Sequence, residues 1–168
     1  MKQKEIFKGR VISLSTKKVR LPNGYVSNIE IVKHPGAVLV IPFLNKNKII
    51  LLRQFRPVLG SYLYELPAGT LKKNEPLAIC AKREIIEETG FKAGSISKLG
   101  FIYPVPGYST EKITIFKAKN LSKEFRPLDK DEIISSFTVT KKKVKSLVKS
   151  GKIVDAKTIC ALVKIGWI

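Results

Sequence analysis

The chain has 168 residues, with 32 Lys or Arg against 13 Asp or Glu and a formal net charge of +19. That length suits one domain with a real core, and its longest apolar runs, Ala37–Leu44 and Ile49–Leu52, are far too short to span a bilayer. The opening MKQKEIFKGR has no apolar segment of signal-peptide type, and Cys80 and Cys160 form no CxxC or Cys/His cluster. This argues against structural zinc or a disulfide framework, and for a cytoplasmic protein with two small buried thiols.

The first half reads as strands. Ile6–Leu14 and Lys17–Leu21 come first, Pro22-Asn23-Gly24 is a hairpin signal, and Tyr25–Val32 alternates loosely before His34-Pro35-Gly36 breaks the chain. Ala37–Leu44 and Lys48–Arg56, joined by Asn45–Asn47, are almost continuously apolar, as central strands covered on both faces require. Pro76–Thr89 reads as a helix, with Pro76 in its first turn and Gly90 just past its end. Strands follow at Lys98–Pro104, Lys112–Lys119 and Glu132–Val139. Thr140–Ser150 is a basic helix with Val144, Leu147 and Val148 on one side and Gly151 as its stop. Asp155 can cap a last helix carrying Ile159, Leu162, Val163 and Ile165. With no repeat or linker, the sum is a mixed sheet with about three helices, of α/β (α+β) type.

The charge has two readings. A basic surface attracts polyanions such as nucleic acid or phosphates, but these lysines are scattered rather than gathered in one arm, as a lysine-rich, soluble surface would have them. The acids are more telling, because five of the 13 fall between Glu65 and Glu88. In Arg83-Glu84-Ile85-Ile86-Glu87-Glu88 the helical period brings Glu84, Glu87 and Glu88 onto one face, where like charges repel. They form either a solvated acidic face or a set of hard oxygen ligands for Mg²⁺ or Mn²⁺, which would neutralise a diphosphate and activate water.

The spacing of Gly69, Glu75, Arg83-Glu84-Ile85, Glu87-Glu88 and Gly90-Phe91 matches every fixed position of the Nudix box, and the chain resembles the Nudix hydrolases on that motif. The flanks resemble the ADP-ribose pyrophosphatase-like subfamily: His34-Pro35-Gly36-Ala37-Val38, Arg53-Gln54-Phe55-Arg56-Pro57, Glu65-Leu66-Pro67-Ala68 and the loop Pro106-Gly107-Tyr108-Ser109-Thr110-Glu111. Two positions depart from the subfamily pattern, Val105 where Ser is frequent and Thr110 where Asp is frequent.

The resemblance implies a Nudix fold, with a mixed sheet sandwiched between helices and an N-terminal antiparallel hairpin region. Residues 1–35 would exchange contacts across a homodimer and 36–168 would form the hydrolase domain. It implies Glu84, Glu88 and the Ala68 carbonyl as metal ligands, with Glu87 a third ligand or the catalytic base. Glu111 is the rival base, on a loop able to close over substrate. Arg83 would orient box carboxylates such as Glu75. Arg56, more weakly Arg53, and the loop residues Pro106 and Gly107 are implied substrate contacts. Glu65 either meets the ribose or adenine side or pairs with a lysine. His34 reads as structural, and Tyr25, Asn28 and Ile29 do not define an adenine site.

The expected reaction is Mg²⁺-dependent hydrolysis of ADP-ribose to AMP and ribose 5-phosphate. The alternatives are another nucleoside diphosphate derivative (a nucleotide sugar, a dinucleoside polyphosphate, NADH) or a basic nucleic-acid-binding module on the same scaffold. Against the last, the box is intact and no RNA-recognition signature is present.

Overall fold

The two strands expected at Ile6–Leu14 and Lys17–Leu21 form with earlier bounds. In the computed structural model, which describes residues 3–124 and 133–168, β1 (Gln3–Lys8) and β2 (Ser13–Arg20) pair antiparallel. The turn between them closes on Gly9, whose N–H donates to the Ile12 carbonyl at 2.9 Å. β3 (Val26–Lys33) adds to β2 after the Asn23-Gly24 turn, where Gly24 takes φ +85°, a conformation only glycine adopts without strain. The region is a three-stranded antiparallel sheet, one strand more than a hairpin.

The second sheet is built from β4 (Ala37–Asn45), β5 (Lys48–Arg56), β6 (Ser61–Glu65), β7 (Ala68–Thr70), β8 (Phe91–Ile102), β9 (Ile113–Lys123) and β10 (Ile134–Thr140). Its order is β10-β5-β4-β9-β8, with β6 on β5 and β7 on β4. β4 and β9 are parallel and the remaining pairs antiparallel, so the sheet is mixed as expected. Glu132, the first residue of the last expected strand, lies outside the described residues. β6 and β7 had no clear sequence signal. Ala68-Gly69-Thr70 has weak intrinsic strand preference and pairs because β4 lies beside it.

Alternation along β4 makes the sandwich. Val38 and Val40 face α1 (Leu77–Thr89) and pack with Cys80, Ala81 and Ile85. Leu39 and Ile41 face the other way, toward Val144 and Leu147 of α2 (Lys141–Lys149) and Ala161 and Leu162 of α3 (Ala156–Lys164). Each fully buried Leu or Ile contributes about 1.5–3 kcal/mol of transfer free energy.

The helix ends carry the expected signals. Gly90 takes φ +71° and its N–H bonds to the Ile86 carbonyl, and the Asp155 carboxylate accepts the Thr158 N–H at 3.0 Å. Pro76 stands at the N-cap of α1, just before its first turn. Two expectations fail on α3. Cys160 and Val163 are exposed, because the helix packs through Thr158, Ala161 and Leu162 and turns those two away from the sheet. Among the described residues no helix is long and apolar enough to cross a membrane.

Candidate active site

β7 runs against the amino-terminal end of β4, and α1 lies across it, so the box carboxylates come down onto Ala68 and Gly69. The Ala68 N–H donates to Glu88 Oε2 at 2.9 Å. Gly69 meets Glu84 even more closely: a Cβ built on it would lie 1.7 Å from Glu84 Oε1. Only a residue without a side chain leaves Glu84 its place. Both carboxylates are nearly buried, at 6% and 5% exposed, whereas Glu87 is half-buried. A solvated acidic face would not be buried, so that reading is set aside for Glu84 and Glu88.

Arg83 stands at the centre of the cluster. Its Nε and Nη2 donate to the two oxygens of Glu75 at 2.8 and 3.0 Å, and its Nη1 reaches Glu84 at 2.7 Å and Glu87 at 2.8 Å. Hydrogen bonding from Arg83 holds the Glu75 carboxyl down at about 2, against an ordinary 4.5, and bonding to Glu75 raises the guanidinium in turn. One guanidinium thus offsets the repulsion among three carboxylates and fixes their rotamers. Cys80 beneath it is inert, because burial pushes its thiol up to about 12.

A cleft of roughly 360 Å³ opens beside this cluster. Ala68 and Gly69 line its floor, Arg56 and Lys157 one wall, and Pro104 and Glu111 the other. Arg56 donates Nε and Nη2 to the two oxygens of Glu65 at 2.7 and 2.6 Å. Lys157 bonds to the same carboxylate and to Asp155 at 2.8 Å. Burial alone would raise the Glu65 carboxyl, but the Arg56 hydrogen bonds and the Lys157 charge outweigh it and hold the group below its ordinary range.

Glu65 is fully buried, so of its two readings the lysine pair is the one the geometry supports: it holds two cations at the cleft wall. Lys157 escaped sequence reading. Its only signal was proximity to the Asp155 cap, and its partner Glu65 is 92 residues away. The Thr158 hydroxyl likewise accepts the Leu66 N–H at 2.9 Å and fixes the approach to β7.

The remaining expected contacts fall unevenly. Arg53 lies outside the cleft, because strand alternation turns it away from Arg56 and its guanidinium stacks 3.7 Å over the Tyr62 ring. Pro106 and Gly107 are exposed at the loop tip and do not line the cleft, while Glu111, at the loop's end, does.

That loop is tied to β3. The Val32 N–H donates to the Tyr108 carbonyl at 2.8 Å, and the His34 N–H donates to the Thr110 hydroxyl at 3.0 Å. Thr110, a departure from the subfamily pattern, is therefore a staple. His34 Nδ1 accepts the Gly36 N–H at 3.1 Å and stands 3.9 Å from Glu111, a positioning role consistent with its structural reading. Among the described residues no three His, Cys, Asp or Glu side chains close on one point as a ready metal cage. The donor set of clustered carboxylates beside a backbone turn nevertheless fits a hard divalent cation that keeps waters and shares substrate oxygens.

A strand-loop-helix that packs clustered carboxylates onto a glycine at the mouth of a cleft is the arrangement of a Nudix hydrolase, and this chain belongs to the Nudix family: the NUDIX domain matches residues 33–162. Within it the chain is a pyrophosphatase-type hydrolase, similar to curated enzymes of that kind. It is 43% identical to the ADP-ribose pyrophosphatase of Bacillus subtilis, over 95% of this chain and 88% of the relative. It is 40% identical to the methanol dehydrogenase activator of Bacillus methanolicus, over 96% and 89%. It is 31% identical to the GDP-mannose pyrophosphatase of Salmonella typhimurium, over 80% and 79%. A solved structure described as an ADP compounds hydrolase shares the fold at a TM-score of 0.84 and 21% identity, covering 98% of this chain and 90% of that one.

Proposed function

We propose that this chain hydrolyses the diphosphate of ADP-ribose to AMP and ribose 5-phosphate, with Mg²⁺ or Mn²⁺ as its cofactor. The observation that carries the reading is the burial of Glu84 and Glu88 against Ala68 and Gly69, at the floor of a cleft whose wall presents Arg56 and Lys157. The Bacillus subtilis relative, named an ADP-ribose pyrophosphatase and similar over nearly the whole chain, supports the substrate.

Glu84, Glu88 and the Ala68 carbonyl would hold the cation, with Glu87 completing or serving the set. When bound, such an ion neutralises diphosphate oxygens and lowers the proton affinity of water. Arg83 orients Glu84 and Glu87 while Glu75 keeps the guanidinium in place. Arg56, pre-aligned by Glu65, meets the phosphates or the nucleotide. Glu111 and Glu87 are the two candidates to take the proton from the attacking water; both side chains are about a quarter exposed, and Glu111 lines the cleft.

The exposed apolar side chains of the N-terminal sheet, among them Phe7, Tyr25 and Ile29, support residues 1–35 as the pairing surface of a homodimer. A charged, membrane-impermeant substrate is consistent with the cytoplasmic setting expected of the sequence. Sedimentation of the purified chain tests the dimer.

Product analysis with ADP-ribose and Mg²⁺ tests the reaction, comparing the parent with Glu88→Gln. AMP and ribose 5-phosphate are expected from the parent, and nearly none from the variant. Equal turnover by both would remove Glu88 from the metal set. The GDP-mannose pyrophosphatase relative motivates one competing substrate class, the nucleotide sugars. Turnover of GDP-mannose with negligible ADP-ribose hydrolysis would replace the proposed substrate.

A further inference from the structure

Along β9 the residues facing α3 run Ile113, Ile115, Lys117, Lys119, because side chains alternate with period two. Phe116 and Ala118 face α1. Two lysines therefore continue a row that begins in the core. α3 covers the Ile113 and Ile115 end of this face through Ala161 and Leu162. Past its carboxyl end a cavity of roughly 510 Å³ remains, floored by Phe43, Leu99 and Trp167. Lys46, Lys117, Lys119 and Lys164 line the same space.

This cavity is separate from the catalytic cleft. The cleft is lined by Ala37 and Val38, at the start of β4, and the cavity by Phe43 and Leu44, at its end. Among the described residues no acidic side chain lines the cavity and none of its four lysines forms an ion pair. Lys164 is drawn in against the sheet: its Nζ lies 3.2 Å from where a Cβ on Gly100 would stand, and Gly100 has φ +138°. Lys117 is half-buried at an inward-facing strand position, and Lys46, Lys119 and Lys164 are exposed side chains that line the same space. Four cations gathered around one apolar floor fit a ligand with several phosphates and one flat ring.

We propose that this cavity is a second, non-catalytic site for a nucleoside polyphosphate, with its phosphates on Lys46, Lys117, Lys119 and Lys164 and its ring against Phe43 and Leu99. The volume suits one small ligand. A nucleic-acid strand would instead want exposed aromatic platforms in a groove, and here Trp167 is only 4% exposed and Phe43 half-buried.

Trp167 is the single tryptophan of the chain and lines this cavity, not the cleft, so its emission reports occupancy directly. The full-length protein is titrated with ATP in EDTA, followed by tryptophan fluorescence and by calorimetry. One saturable event per chain is expected, retained in Arg56→Ala and weakened at least about tenfold in Lys117→Gln/Lys119→Gln. A second pair, Lys46→Ala/Lys164→Ala, is expected to lose affinity similarly while keeping the parent's unfolding midpoint and hydrolytic rate. A control pair on α2, Lys142→Ala/Lys145→Ala, removes the same charge and is expected to bind as the parent does. Equal weakening by the α2 pair would reduce the effect to diffuse attraction and overturn the site. So would loss of the signal in Arg56→Ala, absence of calorimetric binding, or binding of a short single-stranded RNA where ATP fails. Inorganic tripolyphosphate binding as tightly as ATP would overturn the placement of the ring.

Discussion

Replacing Glu75 by Gln keeps the shape of the side chain and removes its charge. In the folded protein the Glu75 carboxyl is only 10% exposed and takes two hydrogen bonds from Arg83 and one from the Lys72 N–H. These hold it at about 2, against an ordinary 4.5. Its folded pKa is depressed, so the stabilisation is complete above about 4.5 and is lost as pH falls toward about 2. That difference corresponds to about 3 kcal/mol when complete. Glu84 and Glu87 still engage Arg83 in the variant, so the expected loss at pH 7 is about 1–3 kcal/mol.

Urea unfolding of parent and variant from pH 7 down to the lowest pH at which both stay folded would measure it. The gap between them is expected to narrow steadily below about pH 4.5. A gap that is absent at pH 7, or that stays constant across the acid range, would refute the idea that the Arg83 pair stabilises the box. The loss of orientation at Glu84 and Glu87 is also expected to lower kcat by roughly tenfold or more at pH 7.

Gly69→Ala would force the Glu84 carboxylate away, since the new Cβ would stand 1.7 Å from Oε1. We expect about a hundredfold loss of kcat/KM, with no more than about 3 kcal/mol of destabilisation in urea melts. Glu65→Gln leaves Arg56 and Lys157 without their shared counter-charge; it is expected to cost about 3 kcal/mol and to raise KM more than it lowers kcat. Thr110→Val removes the acceptor of the His34 N–H and so loosens the Glu111 loop; a fall in kcat with a shift of unfolding free energy near 1 kcal/mol is expected, read by steady-state kinetics and melting. Leu162→Ala, at a position that is 0% exposed, is expected to destabilise by about 2–5 kcal/mol without changing KM.

The sequence by itself determined the chemistry-bearing helix. Proline before it, glycine after it and glutamates at helical spacing encode a local structure that depends on neighbours a few residues away, and α1 forms where that pattern lies. The alternating and continuous apolar runs likewise set β4, β5, β9 and the helices that cover them, because period and burial are written residue by residue. The pairing of Arg83 with Glu75 was legible for the same reason, lying within the box itself.

Tertiary structure decided what no local pattern carries. Ala68-Gly69-Thr70 is a strand only because β4 stands beside it, and Glu84 fits only because Gly69 leaves room across that contact. Glu65 is a buried hub because α3 brings Lys157 to it from 92 residues away. Strand direction, too, separated Arg56 in the cleft from Arg53 on the Tyr62 ring. Local spacing fixes which side chains share a face, but which face meets which depends on long-range packing, and burial and charge pairing follow only from that.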